Sequence, residues 1–122
     1  MSYSILIVDD NAVVRCYLRR FVEQNEAWKV CGEAENGQIA VDRVRQLNPD
    51  VVILDLQMPV MGGLEAARQI GLISPNTTKI LFTMHTVTLV EQDALAAGIA
   101  HVVSKEDGAV RLLSILKGIS LH

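Results

Sequence analysis

Two four-residue runs, Ile5-Leu6-Ile7-Val8 and Val51-Val52-Ile53-Leu54, are apolar at every position, and an aspartate follows each at once. A strand with one solvated face alternates apolar and polar residues, so an unbroken run describes a strand covered on both faces. Strands of that kind belong to a parallel sheet sandwiched between helices, which narrows the fold more than any other feature of the chain. Lys79-Ile80-Leu81-Phe82, Ala100-His101-Val102-Val103 and Trp28-Lys29-Val30-Cys31 supply three further candidates.

Between these runs lie segments of helical length. Val13, Tyr17, Leu18 and Phe21 recur at helical spacing, as do Ile39, Val41, Val44 and Leu47. Leu64, Ala67 and Ile70 mark a third helix, Val87, Val90, Ala94 and Leu95 a fourth, and Val110, Leu113 and Leu116 a fifth. Asn48-Pro49, Gly62-Gly63 and Ser74-Pro75-Asn76 punctuate the boundaries, and Gly98 stands where a glycine cap belongs. Strands alternating with helices in this way predict an α/β fold, a doubly wound five-stranded parallel sheet with five helices. Right-handed crossovers cover both faces only if the winding reverses once. In the flavodoxin-like order 2-1-3-4-5 the reversal lies between the first and third strands, and ligands bind at their carboxyl ends. The 122 residues are expected to form one domain spanning 1–122.

Composition excludes several classes. A net charge of -3 leaves no basic excess to neutralise phosphates, so this domain alone is not expected to bind nucleic acid. No apolar run approaches the roughly 20 residues of a membrane helix. Met1-Ser2-Tyr3-Ser4 leads into the first strand with no positively charged leader, which points to the cytoplasm. Cys16 and Cys31 match no metal-ligand spacing and are expected to be buried free thiols.

The residues that carry chemistry fall where the fold requires them. Asp9 and Asp10 follow the first strand, Asp55 follows the third, Thr83 ends the fourth and Lys105 lies just past the fifth. Clustered carboxylates resist joint ionisation unless a counter-charge relieves them. A hard divalent cation with oxygen ligands does so, and magnesium is the usual choice where phosphate is also present. A carboxylate beside such an ion can attack a phosphoryl group and hold it as an aspartyl phosphate. In that scheme Asp55 is the nucleophile, and Asp9, Asp10 and Asp55 hold Mg2+ with the carbonyl of Gln57. Thr83 and Lys105 contact the phosphoryl oxygens. Taken singly, each residue has an ordinary reading: Asp10-Asn11 would cap a helix, and a lone threonine or lysine would be structural or solvated. An ion within the run from Val51 to Leu56 is harder to assign to structure alone.

The order Asp9-Asp10, Asp55, Thr83, Lys105, with the stretch from Leu54 to Glu65, resembles the response-regulator receivers of two-component signalling, a CheY-like family. The resemblance implies phosphorylation of Asp55 by a histidine kinase or phosphotransfer protein in a magnesium-dependent step. It also implies output through the fourth helix, fifth strand and fifth helix, to an effector or a second copy. Lys105-Glu106 and Gly32-Glu33-Ala34-Glu35-Asn36-Gly37 are similar to receivers joined to LuxR-type helix-turn-helix domains. Three features depart from the common pattern. Val102 replaces an aromatic residue found three positions before the lysine in many receivers, Glu106 replaces a proline, and Met84 replaces a small residue. Met84 is expected to narrow access to Asp55. His85 reads as a solvated loop residue or a proton relay or partner contact, His101 and His122 as surface residues, and Trp28 as a packing residue. The last helix is apolar over more than one stripe, so it is either generously buried or carries a partner surface.

Two forms of the reading remain open. The lysine-acid pattern points to the input domain of a DNA-binding regulator, the initiating methionine to a stand-alone receiver. A magnesium-dependent aspartyl-phosphate phosphatase would need an acid two residues past the nucleophile, where Gln57 stands, and a cap for which there is no room. A scaffold pseudo-receiver would lack part of the acidic set, which is complete here. The domain is not expected to be an enzyme.

Overall fold

The computed structural model describes residues 3–84 and 87–120. In chain order the elements are β1 (Tyr3–Val8), α1 (Ala12–Glu23), β2 (Trp28–Ala34), α2 (Gly37–Leu47), β3 (Val51–Leu54), α3 (Gly63–Ile73), β4 (Thr78–Thr83), α4 (Val87–Ala96), β5 (His101–Ser104) and α5 (Gly108–Ser120). A short 3-10 turn, Lys105–Asp107, precedes α5. The strands are parallel in the order β2-β1-β3-β4-β5, the flavodoxin-like topology that the alternation of runs predicts.

Strand alternation sorts the core into two layers. Leu6, Val8, Val52, Leu54 and Leu81 face one side and pack with Ala40, Val41, Val44, Ala66, Ala67, Ile70 and Ala94 of α2, α3 and α4. Ile5, Ile7, Val51, Ile53, Ile80 and Phe82 face the other, against Leu18, Val22, Leu112 and Leu116 of α1 and α5. This double cover is why the runs Ile5–Val8 and Val51–Leu54 carry no polar residue.

Local chemistry sets the ends of the helices. The Asn11 side chain accepts from the N–H groups of Val13 and Val14 and caps α1, so Asn11 rather than Asp10 is the cap. Asn48 takes a left-handed conformation, φ 47°, to close α2 before Pro49. Gly98, φ 87°, closes α4, where its N–H donates to Leu95 O.

Several sequence expectations need correction. On α1 Leu18 is buried as its pattern predicts, but Val13 and Tyr17 are exposed and Val22 is the second buried residue. Leu47 and Leu95 are exposed although both fit their helical patterns. Strand β5 begins at His101 rather than Ala100, and β2 runs on to Ala34. Cys16 is exposed, not buried, and Cys31 is half-buried. The ladder between β1 and β2 slips between Ile5 and Leu6, so that Leu6 faces Gly32, and the Cys31 thiol donates to Ile5 O at 3.4 Å. Burial pushes that thiol's pKa up. On α5, Ala109, Leu112 and Leu116 are buried and Ile115 and Ile119 pack at the core's edge, leaving Val110 outward. Trp28 is a packing residue, 5.0 Å from the Tyr3 ring. His101 is exposed. His85 and His122 lie outside the described residues.

Candidate functional site

The two aspartates nearest the sheet are brought together by strand register. Val8 pairs with Leu54, and each ladder runs one bond further: Asp55 N–H donates to Val8 O at 3.0 Å, and Asp9 N–H to Ala34 O at 3.1 Å. Asp9 and Asp55 therefore leave the sheet side by side, where the winding reverses. One carboxylate oxygen from each of Asp9, Asp10 and Asp55 lies within 4.8 Å of the others. Asp9 is 2% exposed, the Asp55 side chain 14%, and Asp10 faces solvent.

Lys105 joins them from the turn after β5. Its Nζ donates to Asp9 Oδ2 at 2.8 Å and stands 3.4 Å from Asp55 Oδ2. Thr83 pairs with Ser104 at the adjoining strand ends and is fully buried. The remaining Asp9 oxygen accepts from Asn11 N–H at 2.9 Å, and Asp55 Oδ1 accepts from Leu56 N–H at 2.8 Å. Gln57 is exposed in the loop between β3 and α3. Met84 is 62% exposed, directly after Thr83.

Burial raises the Asp55 carboxyl above the ordinary carboxylate range; Lys105 pulls it down, and the neighbouring Asp9 pushes it up again. Burial also works against the Lys105 charge, but the carboxylates of Asp9 and Asp55 outweigh it and hold the ammonium above its usual pKa. Among the described residues Lys105 pairs with Asp9 and Asp55, and Arg15 nearby is already paired with Glu33, so the three carboxylates outnumber the cations that answer them. An all-oxygen donor set with an incomplete counter-charge fits a hard divalent cation, as the sequence predicts for Asp9, Asp10 and Asp55.

The loop that follows Asp55 is packed closely. Gly63 N–H donates to Leu56 O at 2.8 Å, and a Cβ at Gly63 would collide with the Asp55 carbonyl oxygen. Gly37 N–H donates to Met61 O, and Met61 N–H to Pro59 O at 2.7 Å. That last bond turns the chain at Val60, whose φ of 68° is strained for a β-branched residue. Sequence reasoning missed Arg15 and Glu33: Arg15 Nη1 donates to the Asp9 carbonyl at 2.6 Å and its Nε to Glu33 at 3.0 Å. The only signal was a pair of arginines one helical turn apart, Arg15 and Arg19, just after an acidic strand end.

Fold and sheet edge together define a class, the receivers of two-component signalling. The chain belongs to the response regulator receiver domain family, which it matches over residues 5–117. It is 35% identical over 116 residues to the response regulator UvrY of Escherichia coli K12, covering 95% of this chain and 53% of that one. It is 38% identical over 109 residues to a protein-glutamate methylesterase/protein-glutamine glutaminase of Carboxydothermus hydrogenoformans, covering 88% of this chain and 31% of that protein. The chain thus spans about half or less of the length of these relatives. Among solved structures, a LuxR-family two-component response regulator from Aurantimonas superposes with a TM-score of 0.91 at 31% identity, over 98% of this chain and 85% of that one. The response regulator domain of Thermotoga maritima CheB gives 0.85 at 27% identity, over 99% and 96%. Phosphorylation and acidic-residue binding of Mg2+ are general features of the family. Among the described residues no helix is long and apolar enough to cross a membrane.

Proposed function

We propose that Asp55 accepts a phosphoryl group from a phosphohistidine of a histidine kinase or phosphotransfer protein. A carboxylate oxygen of Asp55 attacks phosphorus, the P–N bond breaks, and the leaving imidazole takes up a proton. Asp9, Asp10, Asp55 and the carbonyl of Gln57 would hold Mg2+, which when bound neutralises charge on the transferring group. Lys105 sits 3.4 Å from the accepting carboxylate and would follow the phosphoryl oxygens. Thr83, buried at the neighbouring strand end, would contact them from the other side. The observation that carries this reading is the convergence of three carboxylates within 4.8 Å around the half-buried Asp55. A scaffold role gains no support, because every member of the acidic set reaches the site.

Mass spectrometry after phosphoramidate or acetyl phosphate treatment tests the reading. One adduct that requires Mg2+ and is absent in Asp55→Ala is expected. An adduct that persists in the variant would place the chemistry elsewhere. Turnover of an unrelated phosphomonoester would favour the phosphatase reading instead.

The signal would leave through α4, β5 and α5. Leu95, 74% exposed, lines a cavity of about 280 Å³ there with Glu91, Ala94, His101 and Arg111, and Val110 is 73% exposed near the start of α5. An effector or a second copy of the chain would meet apolar Leu95 and Ala94 there beside charged Glu91 and Arg111. A second reading, the input domain of a longer DNA-binding regulator in the cytoplasm, is favoured by the coverage of UvrY, about half of whose length this chain matches.

A further inference from the structure

Asp9 is held at every polar atom, and of its four partners only Lys105 has a part in the phosphoryl chemistry. Its N–H donates to Ala34 O, Oδ1 accepts from Asn11 N–H, and Oδ2 accepts from Lys105. The fourth tie is the shortest: Arg15 Nη1 donates to the Asp9 carbonyl at 2.6 Å. Because a peptide unit is planar, fixing that carbonyl also fixes the direction in which the chain enters Asp10. Asp10 is the solvent-facing member of the trio and is the least constrained by burial.

Arg15 is itself locked. Its backbone N–H donates to Asn11 O at 3.1 Å, in the first turn of α1, so one residue ties both the helix start and the preceding strand end. Its Nε donates to Glu33 Oε1 at 3.0 Å, and Arg19 Nε donates to Glu33 Oε2 at 2.9 Å. The Arg15 side chain is 17% exposed, the Glu33 side chain 33%. A guanidinium has a planar fork of donors, so one group can serve a carbonyl and a carboxylate together, which an ammonium on a flexible stem does poorly. Glu33, shared by Arg15 and Arg19, and Glu23, paired with Arg19, together offset the two arginine charges. Without that offset, a cation beside the acidic trio would repel any metal it is meant to receive.

We infer that Arg15, oriented by Glu33, is a positioning residue that sets the Asp9–Asp10 turn for divalent cation binding. The inference rests on the reading that Asp9, Asp10 and Asp55 hold Mg2+. Partners that orient metal ligands from outside the coordination shell are worth about 10- to 100-fold in affinity. Arg15→Met is expected to weaken Mg2+ binding about tenfold, and Arg15→Lys by less. Glu33→Gln should weaken binding in the wild-type chain, but add nothing in the Arg15→Met background, since it acts through Arg15.

The test is calorimetric titration of Mg2+ into the unphosphorylated protein well below its melting temperature, for the wild type, the three single variants and the Arg15→Met/Glu33→Gln pair. Amide exchange at Asp10 and Asn11 in metal-free protein is measured alongside. Weaker binding with faster exchange at those two amides, and no added loss in the double variant, is the expected result. Wild-type affinity in a folded Arg15→Met or Arg15→Lys variant overturns the inference, whatever happens to thermal stability. Equal losses from Glu33→Gln in both backgrounds overturn the role given to Glu33. Should the wild type itself bind no Mg2+, the underlying site assignment fails first, and the two failures are distinguishable. If Arg15→Met does not fold, Arg15→Lys and Glu33→Gln carry the comparison.

Discussion

Replacing Asp55 by asparagine should stabilise the metal-free protein and lose that advantage when magnesium is added. The isosteric amide oxygen can still accept from Leu56 N–H, which donates at 2.8 Å in the native chain. What changes is charge. Two unit charges 4.8 Å apart, the outer limit for these oxygens, repel by about 3.5 kcal/mol at an effective dielectric of ~20. Lys105 at 3.4 Å supplies about 5 kcal/mol of opposing attraction on the same scale. Asp10, exposed and screened by solvent, adds a smaller repulsion, so attraction and repulsion nearly offset and the cost of burying the anion decides the sign. That balance agrees with a carboxyl held above its usual range, burial being the first cause. Asp55→Asn is therefore expected to raise stability by about 1–2 kcal/mol in chelator, or roughly 4–8 °C in melting temperature.

The pH dependence has a defined sign. An acid whose folded pKa is raised binds more protons in the native state, so stability falls as pH rises from its ordinary pKa through the raised one. The Asp55→Asn advantage should grow across that window and then level off. Magnesium acts in the opposite direction: a ligand at a hundredfold excess over its dissociation constant stabilises the wild type by about 2.7 kcal/mol. The variant, lacking one charged ligand, should gain less, so the order of melting temperatures reverses. Differential scanning calorimetry in EDTA and in excess Mg2+ reads both effects. A variant no more stable than the wild type in EDTA would refute the burial reasoning. A stability difference indifferent to metal would refute the use of Asp55 as a ligand.

Three further outcomes test the surroundings of the site. Val60→Gly should stabilise by about 0.5–1 kcal/mol, since relief of a positive φ of 68° exceeds the added chain entropy of glycine, and a higher urea midpoint with unchanged slope checks it. Gly63→Ala should destabilise by about 2 kcal/mol or more, because its Cβ meets the Asp55 carbonyl and backbone must move; urea unfolding reads that loss. Met84→Ala should speed phosphorylation by phosphoramidate if the side chain narrows the approach to Asp55, and an unchanged rate would fit its 62% exposure and end that idea.

How much of this was legible in the sequence depended on whether the cause was local. The strands Ile5–Val8 and Val51–Leu54 could be read because coverage on both faces leaves a mark at every position. Asp9, Asp10, Asp55, Thr83 and Lys105 followed from strand ends, and the register brought the acidic three together. Helix α1 was misread because it carries two apolar stripes, and periodicity does not say which faces the sheet: Leu18 and Val22 are buried, while Val13 and Tyr17 are left to solvent. The strain at Val60 was hidden because nothing about valine advertises a left-handed backbone. Arg15 and Glu33 were missed for another reason. They lie on different elements, 18 residues apart, and their pairing exists only after β1, α1 and β2 assemble.

The same non-local logic bears on how a switch could work without a ring. Val102, where many receivers carry an aromatic residue, pairs with Leu81 and packs into the layer beneath α2, α3 and α4. Two residues on, Thr83 pairs with Ser104, the neighbour of Lys105. A phosphoryl group that drew Thr83 and Lys105 inward would therefore pull both members of the β4–β5 ladder end at once. Valine has a single stiff side-chain torsion and no ring to swing between solvent and core. Displacement of those strand ends would have to pass through the aliphatic contacts of Val102 and the turn at Lys105–Asp107, which opens directly into α5. Output in this chain is accordingly expected to follow the backbone of β5 and the start of α5, rather than the rotation of one side chain.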